Sequence, residues 1–249
     1  MSDYLDRYSK KISQSGSSIS DSISTNTTQY IQSKFKDSTT YRRAKYYHRK
    51  NDIEFRDEID IRALDIRRMG NIRNVLLRPT ESLDIGYTLI FDENEWLIYD
   101  RYGSAKNHFK LEVAKINDRL VWIDANGVLI DLPCVSGTTY IGSKSRQNRY
   151  DIETNTYDVR LPAGQIFVFA EYNKDTKTLD LNQRFIFGRK VYEIAGIDDV
   201  TSVESDGYGI VQFTMKLTTI IDSDDFISGI AVNNYNVEEG NSGGGGLWG

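Results

Sequence analysis

Hydrophobic and polar positions alternate with a period of two along most of this chain. Ile53, Phe55, Asp57, Ile59, Ile61 and Ala63 share one parity, and Glu54, Arg56, Glu58, Asp60, Arg62 and Leu64 the other. That is a strand with one polar face. The alternating run extends back to Tyr41, which is long for one strand, so a bulge or break is expected within it. A short apolar strand from Val75 to Leu77 then meets Pro79, a second strand follows Gly86, and a third carries Trp96, Ile98 and Asp100. After a polar turn the pattern predicts a strand ending at Trp122, which makes Trp96 and Trp122 core anchors on facing strands. Asn126-Gly127 between two alternating runs is a strong hairpin signal. Strands are also predicted from Ile166 to Tyr172, on both sides of Gly188 between Arg184 and Ile194, and from Ile210 to Thr219. In the last of these Val211, Phe213, Met215 and Leu217 form the buried face. Strand follows strand with no helix-length apolar repeat, which predicts a mainly β fold, a small β-barrel or sandwich.

The two ends read differently. Tyr4, Leu5, Tyr8 and Ile12 have helix-like spacing, so a short N-terminal helix is expected there. Ser13 to Thr28 is nearly all Ser, Thr, Gln and Asn and buries too little to fold alone. Residues 1–40 are therefore expected to be an extended arm, residues 41–232 a β domain with a polar loop at 142–157, and residues 233–249 a glycine-rich tail.

Composition narrows the chemistry. The 16 tyrosines against three prolines favour strands and half-wet interfaces. The net charge of -5 argues against a general nucleic-acid binder. The charge is uneven, however. Residues 41–80 hold 11 Lys and Arg against 6 Asp and Glu, a local +5 that leaves -10 on the rest of the chain. One cysteine, Cys134, excludes an internal disulfide and is expected to be a small buried hydrophobe near a strand end. The N-terminus lacks the apolar stretch of a signal peptide, and no run is long enough to span a bilayer, so no membrane role is expected.

No phosphate-binding glycine loop, zinc motif or nucleophile elbow occurs. Asp222, Asp224 and Asp225 lack the glycine and glutamate of a calcium loop. The reading is a protein with no catalytic residue, no metal and no cofactor.

Several spaced blocks carry a family resemblance. They are Arg78–Gly86 (RPTESLDIG), Trp96–Asp100 (WLIYD), Leu120–Trp122 with its Asn-Gly hairpin and Pro133-Cys134, Arg184–Gly188 (RFIFG), and Val191–Asp199. Over roughly residues 55–220 the chain resembles the head-closure, or stopper, proteins of long-tailed siphophages of Gram-positive bacteria. The resemblance implies a virion neck protein, assembled in the host cytoplasm. It implies a homo-oligomeric ring, typically a dodecamer, with portal and adaptor proteins on the head side. A tail-completion or tail-terminator protein would lie on the tail side. Packaged double-stranded DNA would pass through the channel, held without sequence specificity by a projecting loop. The best loop is Gly142–Tyr157, with Lys144, Arg146, Arg149 and Tyr150 facing the DNA, and Gly70–Arg78 is the second choice. Tyr4, Leu5, Tyr8 and Ile12 would belong to an arm that interlocks subunits. Two other readings stay open at this point: a neighbouring neck role, as adaptor or tail-completion protein, and a carbohydrate-binding β module.

Overall fold

The computed structural model describes residues 7, 19–50, 54–65, 71–79, 81–104, 108–138 and 161–233. The fold is mainly β, as the alternation predicts. Twelve strands among these residues form two sheets of six. The first is a closed barrel of β1 (Tyr41–His48), β2 (Phe55–Asp65), β3 (Ile72–Leu77), β4 (Thr88–Phe91), β5 (Asn94–Ser104) and β6 (His108–Lys115), in the order β1-β2-β3-β6-β5-β4. The second holds β7 (Asp118–Ile123), β8 (Leu129–Gly137), β9 (Gln165–Tyr172), β10 (Arg184–Phe187), β11 (Lys190–Asp198) and β12 (Gly209–Leu217), in the order β10-β11-β12-β9-β8-β7. This second sheet curls until its end strands meet, with the Trp122 and Phe185 rings edge-on at 6.0 Å.

Each sheet wraps its own core. Ala44, Ile59, Ile61, Val75, Leu77, Leu89, Trp96, Ile98, Leu111 and Val113 fill the barrel, all from one parity of their strands. Leu120, Trp122, Leu132, Cys134, Val168, Ala170, Phe185, Ile194, Val211, Phe213 and Met215 fill the second sheet. Outward-facing residues make a third cluster where the sheets touch: Leu97 meets Phe167, Phe169 and Ile210, with Ile85, Tyr99, Ile116 and Val135 beside them. β5 and β9 are thus apolar on both faces, as strands covered on both sides must be.

Five expectations need correction. Tyr41 to Leu64 is a hairpin, with Tyr41 opposite Arg62 and His48 opposite Phe55. The strand ending at Trp122 is two strands, because the chain leaves the barrel at Ile116-Asn117. Asn117 holds that crossing by donating its side-chain amide to Ser136 O (2.9 Å) and accepting from Ser136 N (2.8 Å), which imitates a strand partner. Trp96 and Trp122 consequently anchor different cores, not facing strands of one. Leu217, expected on the buried face, is exposed at the end of β12. Cys134 is buried as expected but lies within β8 rather than near a strand end.

An N-terminal helix is present, as expected. α1 runs from Ile19 to Ser33 through the Ser/Thr-rich stretch, while Tyr4, Leu5, Tyr8 and Ile12 lie outside the described residues. It leads into Phe35, which is buried to 1% exposure against the barrel. The guanidinium groups of Arg62 and Arg78 lie 4.7 and 5.5 Å from the Phe35 ring, and Arg62 also donates to the carbonyls of Lys34 and Phe35. A single aromatic with two cation-π partners therefore roots the helix.

Candidate functional site

The most elaborate constellation of polar side chains lies at the joint between barrel and second sheet. Its centre is Tyr208, in the turn before β12. The ring belongs to the barrel core, edge-on to Tyr87 at 5.6 Å, while its hydroxyl donates to Glu171 Oε1 on β9 at 2.7 Å. Glu171 is only 4% exposed and also accepts the backbone N–H of Arg49, which follows β1. Burial pushes the Glu171 carboxyl above its usual range, and the bonds from Tyr208 and Arg49 pull part of the way back. Burial likewise pushes the Tyr208 hydroxyl up, assisted by the Glu171 charge. The Arg49 N–H thus ties the end of β1 to β9, and the Tyr208 hydroxyl holds the same carboxylate while its ring fills the barrel core.

Ion pairs surround this bond. Lys50 binds Asp84 at 3.1 Å and Asp206 at 2.5 Å. Arg101 binds Asp84 at 2.8 Å and Glu204 at 2.9 Å, and Arg49 lies 3.7 Å from Asp175. Lys50, Asp84 and Arg101 come from the barrel, and Asp175, Glu204 and Asp206 from the second sheet. The hydrogen bond to Asp206 is the main force holding the Lys50 ammonium charged. Gly86 and Gly209 permit the approach. They have φ of +93° and +155°, and a Cβ on Gly86 would collide with Gly209 O.

His48 stacks on Tyr87 with ring centroids 4.1 Å apart, and its Nδ1 accepts the Lys50 N–H. Burial, then the Lys50 charge, lowers its pKa, so it is neutral at pH 7. The Cys134 thiol is buried and pushed far up by desolvation. Among the described residues no group of three His, Cys, Asp or Glu side chains could hold a metal, and no helix is long and apolar enough to cross a membrane. Asp224 is committed to Arg184, at 2.7 Å, and Asp225 to the backbone of Ile227 and Ser228.

Sequence reasoning did not find this joint. Its residues come from five separate stretches, and only Asp84 and Gly86 lie in a block singled out above, RPTESLDIG. Lys144, Arg146, Arg149 and Tyr150, expected to line a DNA channel, lie outside the described residues. The second-choice segment, Gly70–Arg78, forms most of β3. There Arg73 spreads over the Trp96 ring at 4.7 Å and pairs with Asp92, and Arg78 pairs with Asp60.

The comparisons divide at the same joint. Residues 114–216 match the family model of the YomX C-terminal domain. This is a phage-type domain. The matched span starts at the crossing out of the barrel and ends in β12, so it corresponds to the second sheet. No curated protein matches the chain. Among solved structures, "MrkH, A novel c-di-GMP dependence transcription regulatory factor" aligns over 80% of this chain and 84% of its own. Its 7% identity and TM-score of 0.23 define no common fold.

Proposed function

We propose that this protein is a non-enzymatic structural component of a phage particle, a ring in the virion neck that closes the DNA-filled head and docks the tail. The observation that carries the reading is the phage-type match across the whole second sheet. The joint supports it. Its buried titratable groups, Glu171 and Tyr208, are spent on fixing one sheet against the other, which suits a part that bears load and turns nothing over. The uneven charge fits as well. A body of net charge -5 repels DNA along a channel wall, while the sequence holds Lys144, Arg146 and Arg149 close together.

In this reading the head-side partners are portal and adaptor proteins, the tail-side partner is a completion or terminator protein, and the protein resides in the virion. The test is particle analysis with the gene disrupted. Heads that lose their DNA and fail to join tails are the expected result. Particles that keep DNA and carry tails without this protein would overturn the proposal.

A further inference from the structure

Two apolar surfaces in this chain have no partner among the described residues, and the fold puts them at opposite ends. The first is α1. It has 15 residues, and a helix of that length is marginal alone in water. Ile23 and Tyr30, seven residues apart and so on one face, are 61% and 68% exposed. The second is the seam where β7 and β10 meet. A cleft of about 570 Å³ opens there, lined by Ile123, Asp180, Gln183, Ile230 and Asn233 among others. Exposed Val128, Leu129 and Leu181 surround it. The loop carrying exposed Phe226 and Ile227 is tied to the β10 edge by the Arg184–Asp224 pair and by Asn233, whose amide both donates to Arg184 O and accepts from its N–H.

Strand order fixes the relation between them. The barrel touches the second sheet through Leu97 and Tyr99 of β5 and through the joint beyond His48, at the end of β1 away from the Tyr41–Arg62 pair. In a closed order of β1-β2-β3-β6-β5-β4 the strand opposite β5 is β2, where Arg62 roots α1 through Phe35. The second sheet touches the barrel through β9 and β12, its two central strands, so its β7/β10 seam faces away. One copy therefore cannot bring its own helix to its own seam without leaving the Phe35 anchor. A second copy can.

Charge agrees with that direction. The described residues of 34–115 hold 14 Lys and Arg against 13 Asp and Glu, or +1, while those of 116–233 hold 7 against 14, or -7. Lys34 and Lys36 follow α1, each more than half exposed, whereas Asp124, Asp180 and Asp222 belong to the seam and its loop. We propose that α1 of one copy docks by its Ile23–Tyr30 face into the β7/β10 seam of a second copy, the basic end of one molecule meeting the acidic end of the next. Helix-in-groove docking of this kind is heterologous, so repeated contacts close into a ring or continue as a filament. The contact stands on the geometry of the chain, and only its closure into a neck ring rests on the function proposed above.

Cysteine pairing between full-length chains tests it. Ile23→Cys and Leu129→Cys variants, each folded by its far-ultraviolet spectrum, are mixed and oxidised, with Lys174→Cys as an exposed control away from the seam. Cys134 is buried and does not compete. The expected product is a disulfide-linked pair from Ile23→Cys with Leu129→Cys and none from Ile23→Cys with Lys174→Cys. No pair, or equal pairs with both partners, overturns the proposal. Sedimentation provides the second reading: Ile23→Asp/Tyr30→Asp should shift the assembled protein to monomer. An intact chain that stays monomeric, or a variant that assembles like the parent, also overturns it. A ring that survives both substitutions sinks this contact and leaves the neck role standing. Disrupted particles that keep DNA and tails sink the neck role and leave the contact standing.

Discussion

The Tyr208 hydroxyl donates to the buried Glu171 carboxylate at 2.7 Å while the Tyr208 ring sits in the core of the other sheet. Tyr208→Phe keeps the ring and removes the bond, leaving Glu171 with its Arg49 N–H partner. A buried bond to a charged group is worth about 2 kcal/mol, and chemical denaturation should show that loss. The pH dependence has a definite sign. Burial raises the folded pKa of Glu171 above the unfolded value, so the folded state binds the proton more tightly. The cost of burying the charge is absent below the unfolded pKa, near 4.5, appears as pH rises through the folded value, and is constant above it. Glu171→Gln carries no such charge. It should therefore compare best with the parent near neutral pH and progressively worse as pH falls towards 4.5, read as the gap in Tm.

At the same joint, Gly86→Ala should be far costlier than a glycine change elsewhere. The new Cβ would collide with Gly209 O, at a backbone with φ of +93°. Strain and overpacking together cost at least about 2 kcal/mol. Gly188 is the control, with φ of +62° and open space around its Cβ. Its alanine variant carries only the left-handed penalty of about 1–2 kcal/mol. Equal effects in denaturant would mean that the sheets do not approach this closely.

How much of this was legible in sequence depends on range. Strand parity was. Ile59, Ile61, Phe213 and Met215 are buried as their alternation required, and Asn126-Gly127 turns the β7–β8 hairpin with Gly127 at φ +79°. Partition into two sheets was not. Only Ile116-Asn117 separates β6 from β7, and whether the next strand re-enters the same sheet is decided by Asn117 reaching Ser136, 19 residues away. The full extent of helix α1 was hidden because its Ser- and Thr-rich sequence has weak propensity, and because its anchor Phe35 meets Arg62 and Arg78 only through tertiary contact. The joint was hidden for a similar reason. Glu171 sits within an otherwise apolar strand, and nothing near it in sequence marks Tyr208 as its partner.

Phe35→Ala should release α1. Loss of the buried ring costs about 3 kcal/mol or more and removes both cation-π contacts. Hydrogen exchange should show residues 25–33 losing protection, with the β9–β12 ladder unchanged. Loss of protection throughout would mean that Phe35 belongs to the general core rather than to a helix root.

Cys134 should be chemically silent. It is fully buried, and desolvation pushes its thiol well above the usual range, so little thiolate exists at neutral pH. A thiol reagent should titrate no sulfhydryl in the native protein and one in denaturant. Fast labelling of the native chain would place Cys134 at the surface.

Arg184 and Asp224 hold the loop that borders the seam. The Asp224 carboxylate accepts both terminal nitrogens of Arg184, at 2.9 and 2.7 Å, together with the N–H groups of Ile221 and Val232. Burial alone would raise the pKa of Asp224, but the bonds from Arg184 and the two backbone groups outweigh it, and the net shift is downward. Asp224→Asn keeps the shape and removes the charge, which should cost about 2–3 kcal/mol near neutral pH. The folded pKa lies below the unfolded value of 3.8, so this contribution is complete above 3.8 and disappears as pH falls through the folded value. The gap between parent and Asp224→Asn should accordingly be constant from pH 7 to about 5 and close at lower pH, the reverse of the Glu171→Gln trend. Hydrogen exchange in the variant should rise first at Ile221 and Val232, whose N–H groups Asp224 accepts. If the gap does not close in acid, the stability of this loop comes from the packing of Ala231 against Ile186 and Val191 and not from the ion pair.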